Sequence, residues 1–152
     1  MSQNLIKRFN IYQKERFPLN VLIFTTLAVV LSSLAIISKS QPLISSYLLE
    51  TVLALIAGLI FMFHVRVLDE RKDLQFDNKH HQDRPIQRGI ISLRQLFIIN
   101  ILLLFVLFGI SVFSSFYAFF FLLIALIYSF IAGMDFFLGE CCKLNAWNQA
   151  KF

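Results

Sequence analysis

The sequence predicts an all-α fold, a polytopic bundle of about four transmembrane helices. Hydrophobic residues make up 58% of the 152 residues, 18 of which are phenylalanine, and the mean hydropathy is +0.72. This apolar share is above that of an ordinary soluble domain. Most charged residues lie in one segment between two apolar runs. We therefore expect an integral membrane protein whose main partner is the lipid bilayer, and no nucleic-acid partner.

Four apolar runs are each long enough, or nearly so, to cross the hydrocarbon core, which takes roughly 20 helical residues. They cover residues 19–37, 47–64, 96–113 and 116–134. The last two are separated only by the segment 111–115, Ser-Val-Phe-Ser-Ser. Because residues 96–134 are far too many for one span, we predict a tight hairpin at these serines.

Basic residues predict the orientation of the spans. Four precede the first run, seven lie between the second and third runs, and only Lys39 lies in the first connection. By the positive-inside rule, the N-terminus, the charged segment and the C-terminus face the cytoplasm, in the cell or inner membrane. The first run is long for a signal peptide and lacks a small-residue cleavage site, so we expect it to remain as a span.

An aspartate recurs at every fourth position after the second run, at Asp69, Asp73 and Asp77. On a continuous helix this spacing aligns the three carboxylates on one face over roughly 12 Å. Aligned anions repel one another unless a cation lies between them. Clustered carboxylates suit Mg²⁺, which also takes water and substrate phosphate as ligands. The spacing predicts a metal site, formed by all three aspartates, that handles phosphate or diphosphate at a membrane surface.

Cations follow the aspartates in a segment that we expect to be a loop. Lys79, Arg84 and Arg88 are candidates for binding a diphosphate, because arginine offers a planar fork of donors and lysine a mobile charge. Ser92 and Gln95 form a capping-box pattern, which predicts the start of the third span. Pro85 and Gly89 are typical of a shaped loop before that start.

The charges also have a simpler interpretation, a solvated helix end with its loop. Arg66 and Glu70, and Asp69 and Lys72, have the spacing of helix-surface ion pairs, which contribute only a few tenths of a kcal/mol. This interpretation accounts for Glu70 as a surface residue. If the aspartates form a metal site, we expect Asp73→Asn to weaken diphosphate binding and Glu70→Gln to leave it nearly intact, whereas equal effects would favour the solvated helix end. The spacing alone leaves both interpretations open.

The order of these residues resembles the first aspartate-rich motif of the UbiA superfamily of membrane prenyltransferases. The resemblance rests on the three aspartates, on Arg84-Pro85, and on Gly89-Ile-Ile-Ser92 at the start of the third span. Residues 15–19, Glu-Arg-Phe-Pro-Leu, are also similar. It implies a fold like the N-terminal half of these enzymes, with a cavity that holds a polyprenyl diphosphate. Transfer of the prenyl group to an acceptor, commonly an aromatic ring, is the implied activity.

The resemblance also implies residue roles. Asp69, Asp73 and Asp77 would bind the diphosphate through Mg²⁺, and Arg84 and Arg88 would contact the diphosphate itself. It assigns no catalytic residue, acceptor, prenyl chain length or pathway.

The sequence departs from the family pattern at one point. The resemblance implies a second aspartate motif on a later helix, and this chain does not show one. Asp135 and Glu140 have neither its spacing nor its position. We therefore expect a truncated UbiA-like domain over residues 1–140 and a divergent tail over residues 141–152. Three functions stay open: a prenyltransferase or its N-terminal part; a non-catalytic relic or subunit, paired with a second membrane chain, that keeps a diphosphate-binding half-site; and a small protein whose charged loop contacts anionic lipid or a protein.

Overall fold

The computed structural model describes residues 4–38 and 48–133, and every regular element within these ranges is a helix. This confirms the predicted all-α class. In chain order the six described helices are α1 (Leu5–Arg16), α2 (Leu19–Ser38), α3 (Leu48–Lys72), α4 (Leu74–His80), α5 (Leu93–Ser114) and α6 (Phe116–Gly133). The predictions that concern Asp135, Glu140 and the tail lie outside the described residues.

Four of these helices, α2, α3, α5 and α6, are long and apolar enough to cross a membrane. They coincide with the four predicted runs, and α3 continues beyond its apolar part to Lys72. Large apolar side chains remain exposed along them, as expected where lipid replaces water as the surroundings. The chain is therefore an integral membrane protein.

The predicted hairpin between the last two spans is confirmed. Ser115 alone separates α5 from α6, with extended backbone angles. Its hydroxyl oxygen accepts a hydrogen bond from the Ala118 amide at 3.1 Å, which satisfies a free N–H at the start of α6. The rings of Phe108 and Phe119 then meet across the two helices with centroids 6.1 Å apart.

The helix at the centre of the bundle is α3, which packs against α2, α5 and α6. Its contact with α2 is close at Gly58, where an added Cβ would lie 2.6 Å from Cγ2 of Thr26. Small residues permit such backbone approach between membrane helices.

Three spans are also joined by a buried hydrogen-bond chain. The Asn100 side-chain amide donates to Nδ1 of His64 at 3.1 Å, which makes Nε2 the protonated ring nitrogen. Nε2 lies 3.2 Å from the Ser129 hydroxyl, and that hydroxyl donates to the Leu126 carbonyl at 2.8 Å. The chain thus links α3 to α5 and α6 through polar groups that would be costly to leave unpaired in a membrane.

Helix α1 precedes the first span and was not predicted. It is tied to the bundle by aromatic packing: Tyr12 is fully buried, and the rings of Phe17 and Phe63 meet edge to face at 5.5 Å. Phe9 adds a second edge contact with Phe63 at 5.9 Å. Val67 belongs to the same buried cluster, so α1 lies beside the polar end of α3.

Candidate functional site

The acidic segment, residues 69–77, starts in the last turn of α3 and ends on α4. The predicted continuous helix is wrong at Asp73, where α3 has ended and α4 has not begun. Asp73 has φ −83° and ψ −2°, and its side chain makes no capping hydrogen bond to α4. The backbone bonds from Asp73 N to Asp69 O, 2.9 Å, and from Asp77 N to Asp73 O, 2.8 Å, still carry the chain around this bend.

The three aspartates lie in three different environments. Asp69 is half-buried, Asp73 is exposed, and the side chain of Asp77 is only 1% exposed. The four-residue spacing therefore does not give three equivalent carboxylates.

Asp77 is held by arginines from two other parts of the chain. Its Oδ2 accepts a hydrogen bond from Arg84, and Arg16 of α1 brings its guanidinium nitrogen to 4.0 Å from the same oxygen. Among the residues that the structure describes, the buried Oδ1 atom has no hydrogen-bond partner. Asp77 thus combines a paired oxygen with an oxygen that could accept another ligand.

Glu70 is the second buried carboxylate of this region. Its Oε1 accepts hydrogen bonds from Nε of Arg16 and from a terminal nitrogen of Arg66, both at 2.9 Å. The Arg66–Glu70 pair predicted from spacing is present, but its placement on a solvated surface is wrong, because the Glu70 side chain is 2% exposed. The packing of α1 over this turn covers it. The expectation that Glu70→Gln leaves diphosphate binding nearly intact stays a prediction, and the contacts of Glu70 with Arg16 and Arg66 weigh against it.

The predicted diphosphate-binding cations do not form one open cluster. Arg84 is paired with Asp77, whereas Arg88 pairs with Glu15 of α1 through distances of 2.7 and 2.6 Å. Lys79 is exposed on α4. Each cation is near the acidic segment in sequence, but two of them already contact carboxylates.

The loop that carries Arg84 and Arg88 has the predicted shape. Gly89 has φ +70°, the left-handed region that favours glycine, and both hydrogen bonds of the Ser92–Gln95 capping box are present. Arg8 of α1 donates to the Ile90 carbonyl and, at 3.0 Å, to the Gln95 side chain.

Helix α1 therefore supplies three residues to the site, Arg8, Glu15 and Arg16, and sequence reasoning missed their contacts. Arg8 and Arg16 were interpreted as signals of orientation, and residues 15–19 as part of the family resemblance, with no contact predicted for either. Burial also raises the pKa of Tyr12 on the same helix, and the charge of Glu70 raises it further, so the phenol stays neutral beside the carboxylate. One sequence signal pointed to part of this arrangement: the spacing of Arg66 and Glu70 predicted one of the two arginines that contact the Glu70 carboxylate.

Carboxylate oxygens are the ligands that Mg²⁺ prefers, so the donor chemistry suits this ion. Within residues 4–38 and 48–133, no group of three acidic, histidine or cysteine side chains is placed to hold a metal. Mg²⁺ commonly takes one or two protein carboxylates and completes its shell with water and substrate phosphate. The exposed Asp73 and the unpaired Oδ1 of Asp77 fit such shared binding, in which the protein supplies only part of the shell.

Comparison with known proteins identifies the family. The model of the UbiA prenyltransferase family matches residues 21–134, which include the acidic segment, the loop after it and most of all four spans. Neither a curated protein nor a solved structure gives a match. Since the family match covers most of the chain, the protein belongs to the UbiA prenyltransferase family.

Proposed function

We propose that this protein binds a polyprenyl diphosphate together with Mg²⁺ at the acidic end of α3, and transfers the prenyl group to an aromatic acceptor. The observation that carries the proposal is the juxtaposition of Asp77 with Arg84 beside the exposed Asp73, in a chain that belongs to a prenyltransferase family. A metal-bound diphosphate requires carboxylates that hold the metal and cationic side chains that bind the phosphate oxygens at the same site.

In this proposal Asp69, Asp73 and Asp77 would hold Mg²⁺ together with the diphosphate rather than as a preformed three-carboxylate site, since the described residues form none. The ion, when bound, neutralises charge that builds on the leaving diphosphate. The protein orients the diphosphate and keeps its oxygens near fixed cations, which lowers the free energy of the charged leaving group.

Arg84, Arg88 and Lys79 are the proposed diphosphate contacts, and their environments give them different tasks. Arg88 would exchange the Glu15 carboxylate for phosphate oxygens, an exposed exchange of one anion for another. Lys79 is exposed and can follow a phosphate as a mobile charge. Arg84 would have to leave a buried partner.

A groove between α3, α5 and α6 supports the prenyl part of the proposal. It has a volume of about 530 Å³ and is lined almost wholly by apolar and small residues, from Phe61 toward Glu50 on α3. Phe61, at the end of the groove nearer the acidic segment, precedes Asp69 by about 12 Å of helix rise, and the buried His64–Asn100–Ser129 chain lies between them.

The orientation belongs to the same proposal. Arg16 and Glu70 are in contact, so α1 and the acidic segment lie at the same end of the bundle. The excess of basic residues in these two segments favours the cytoplasm for that end.

The first test is Mg²⁺-dependent binding of farnesyl thiolodiphosphate, a hydrolysis-resistant prenyl diphosphate, to the purified protein in detergent. We expect Asp73→Asn to weaken binding at least about tenfold, the cost of one charged ligand. The matched control is Asp83→Asn, which removes the same charge from an exposed position in the nearby loop. Equal affinity of the wild type and both variants would contradict the proposal. So would an affinity that is the same with and without Mg²⁺.

A second candidate is a non-catalytic protein that binds the diphosphate without transferring the prenyl group. It is favoured by the finding that the described residues gather no three-ligand metal site. Incubation of the protein with a radiolabelled prenyl diphosphate, Mg²⁺ and a panel of aromatic acids distinguishes the two. Prenylated product supports the transferase, whereas binding with neither product nor released diphosphate supports the non-catalytic protein.

A further inference from the structure

We propose that Arg16 is a positioning residue that allows Arg84 to leave Asp77 and bind the diphosphate. The inference rests on the proposed function and assigns to α1 a part in substrate binding. It follows from how charge is arranged in an ion network of five side chains, which are Arg66, Glu70, Arg16, Asp77 and Arg84.

The difficulty for Arg84 is the burial of its partner. Asp77 is 1% exposed, and its only hydrogen-bonded cation among the described residues is Arg84. A buried carboxylate that loses its counter-charge is strongly destabilised, because neither water nor another charge replaces the lost interaction. Mg²⁺ held by Asp77 would supply part of the lost charge, but the buried Oδ2 atom would still lose its hydrogen-bond donor when Arg84 moved to a phosphate, and that cost would oppose substrate binding.

Arg16 is placed to remove that cost. Its terminal nitrogen lies 4.0 Å from Oδ2 of Asp77, the same oxygen that Arg84 contacts, and is too distant for a hydrogen bond. A small movement would bring it into contact as Arg84 leaves. The guanidinium has five N–H donors in a rigid fork, so it can hold two carboxylates at once.

Glu70 makes this movement possible. Nε of Arg16 donates to Oε1 of Glu70 at 2.9 Å, which fixes the guanidinium beside Asp77. Arg66 donates to the same oxygen at 2.9 Å, so Glu70 keeps a partner while Arg16 shifts toward Asp77. The alternating order of the network therefore permits one exchange of partners without leaving either buried carboxylate unpaired.

The test is a double-mutant cycle on the affinity for farnesyl thiolodiphosphate with Mg²⁺, using the full chain. We expect Arg16→Gln and Arg84→Gln each to weaken binding about tenfold. The double variant should bind no more weakly than Arg84→Gln alone, because Arg16 has nothing to release once Arg84 is gone. Arg16→Lys should fall between the wild type and Arg16→Gln, since lysine keeps the charge but cannot hold two carboxylates in a fork.

Two results would overturn the inference. Losses that multiply in the double variant would mean that Arg16 contacts the ligand itself or acts only through general stability, and unchanged affinity in Arg16→Gln would mean that it has no part in binding. If Arg16→Gln does not fold, Arg16→Lys replaces it in the same cycle and is decided by the same two comparisons. Failure of the proposed function is separate, because it appears as Mg²⁺-independent or absent binding in the wild type and in Asp73→Asn alike.

Discussion

The effect of Glu70→Gln on the free energy of unfolding measures how much the buried ion pairs of Glu70 stabilise the packing of α1 against the polar end of α3. Glu70 is 2% exposed and accepts hydrogen bonds from Arg16 and Arg66. Removal of one member of a buried ion pair costs about 3–5 kcal/mol. The two arginines are 18% and 26% exposed, so water can hydrate part of their charge once Glu70 is neutral. We therefore expect a loss of about 2 kcal/mol in the free energy of unfolding.

The matched control is Glu15→Gln, which removes the same charge from another ion pair formed by α1, the pair with Arg88. Glu15 and Arg88 are each 41% exposed, and an exposed pair contributes at most about 1 kcal/mol. Denaturant unfolding in detergent micelles, followed by circular dichroism, gives both free energies. Raising the salt concentration should remove the small effect of Glu15→Gln and leave most of the effect of Glu70→Gln, because salt screens exposed charges far more than buried ones.

The reasoning would be refuted if the two variants lost equal stability, or if salt abolished both losses. Either result would mean that water reaches Glu70 in solution. The Arg66–Glu70 pair would then be the ordinary helix-surface pair that its sequence spacing suggests.

Two further predictions concern the packing of the spans. Gly58→Ala should destabilise the protein by about 1–3 kcal/mol, because the new Cβ would lie 2.6 Å from Cγ2 of Thr26. Gly109→Ala should be neutral or stabilising in the same unfolding assay, since its Cβ meets no described atom within 4 Å. Asn100→Leu should cost about 1 kcal/mol by leaving Nδ1 of His64 unpaired, and a lowered midpoint of thermal unfolding would show it, while an unchanged midpoint would contradict the buried chain.

Local rules predicted the parts of the fold that depend on neighbours in sequence. The spans follow from long apolar runs, the start of α5 from the Ser92–Gln95 capping box, and the last hairpin from the serines around Ser115. The capping box and the hairpin depend on hydrogen bonds between residues a few positions apart, and each span depends on the composition of one continuous run, so each signal lies within one stretch of sequence.

Contacts across the chain were outside the reach of that reasoning. Arg16 and Glu70 are 54 positions apart, and Glu15 and Arg88 are 73 apart. Helix α1 has only 12 residues, a length that is marginal for an isolated helix, so its stability depends on packing against α3. Without that packing, Glu70 has the sequence pattern of a surface residue.

The spacing of the aspartates predicted one shared role, but the three carboxylates differ in burial and therefore in the ligands that they can reach. Oδ2 of Asp77 is paired with Arg84, so the contribution of Asp77 to metal binding depends on Oδ1, which has no hydrogen-bond partner among the described residues. Asp69 is half-buried on α3, whereas Asp73 is exposed at the bend before α4. The bend leaves the Asp73 carboxylate free to turn toward a metal, whereas the Asp77 carboxylate is already held by Arg84. We therefore expect Mg²⁺ affinity to depend most steeply on Asp73, and the selectivity for diphosphate over a single phosphate to depend on Asp77 through its hold on Arg84.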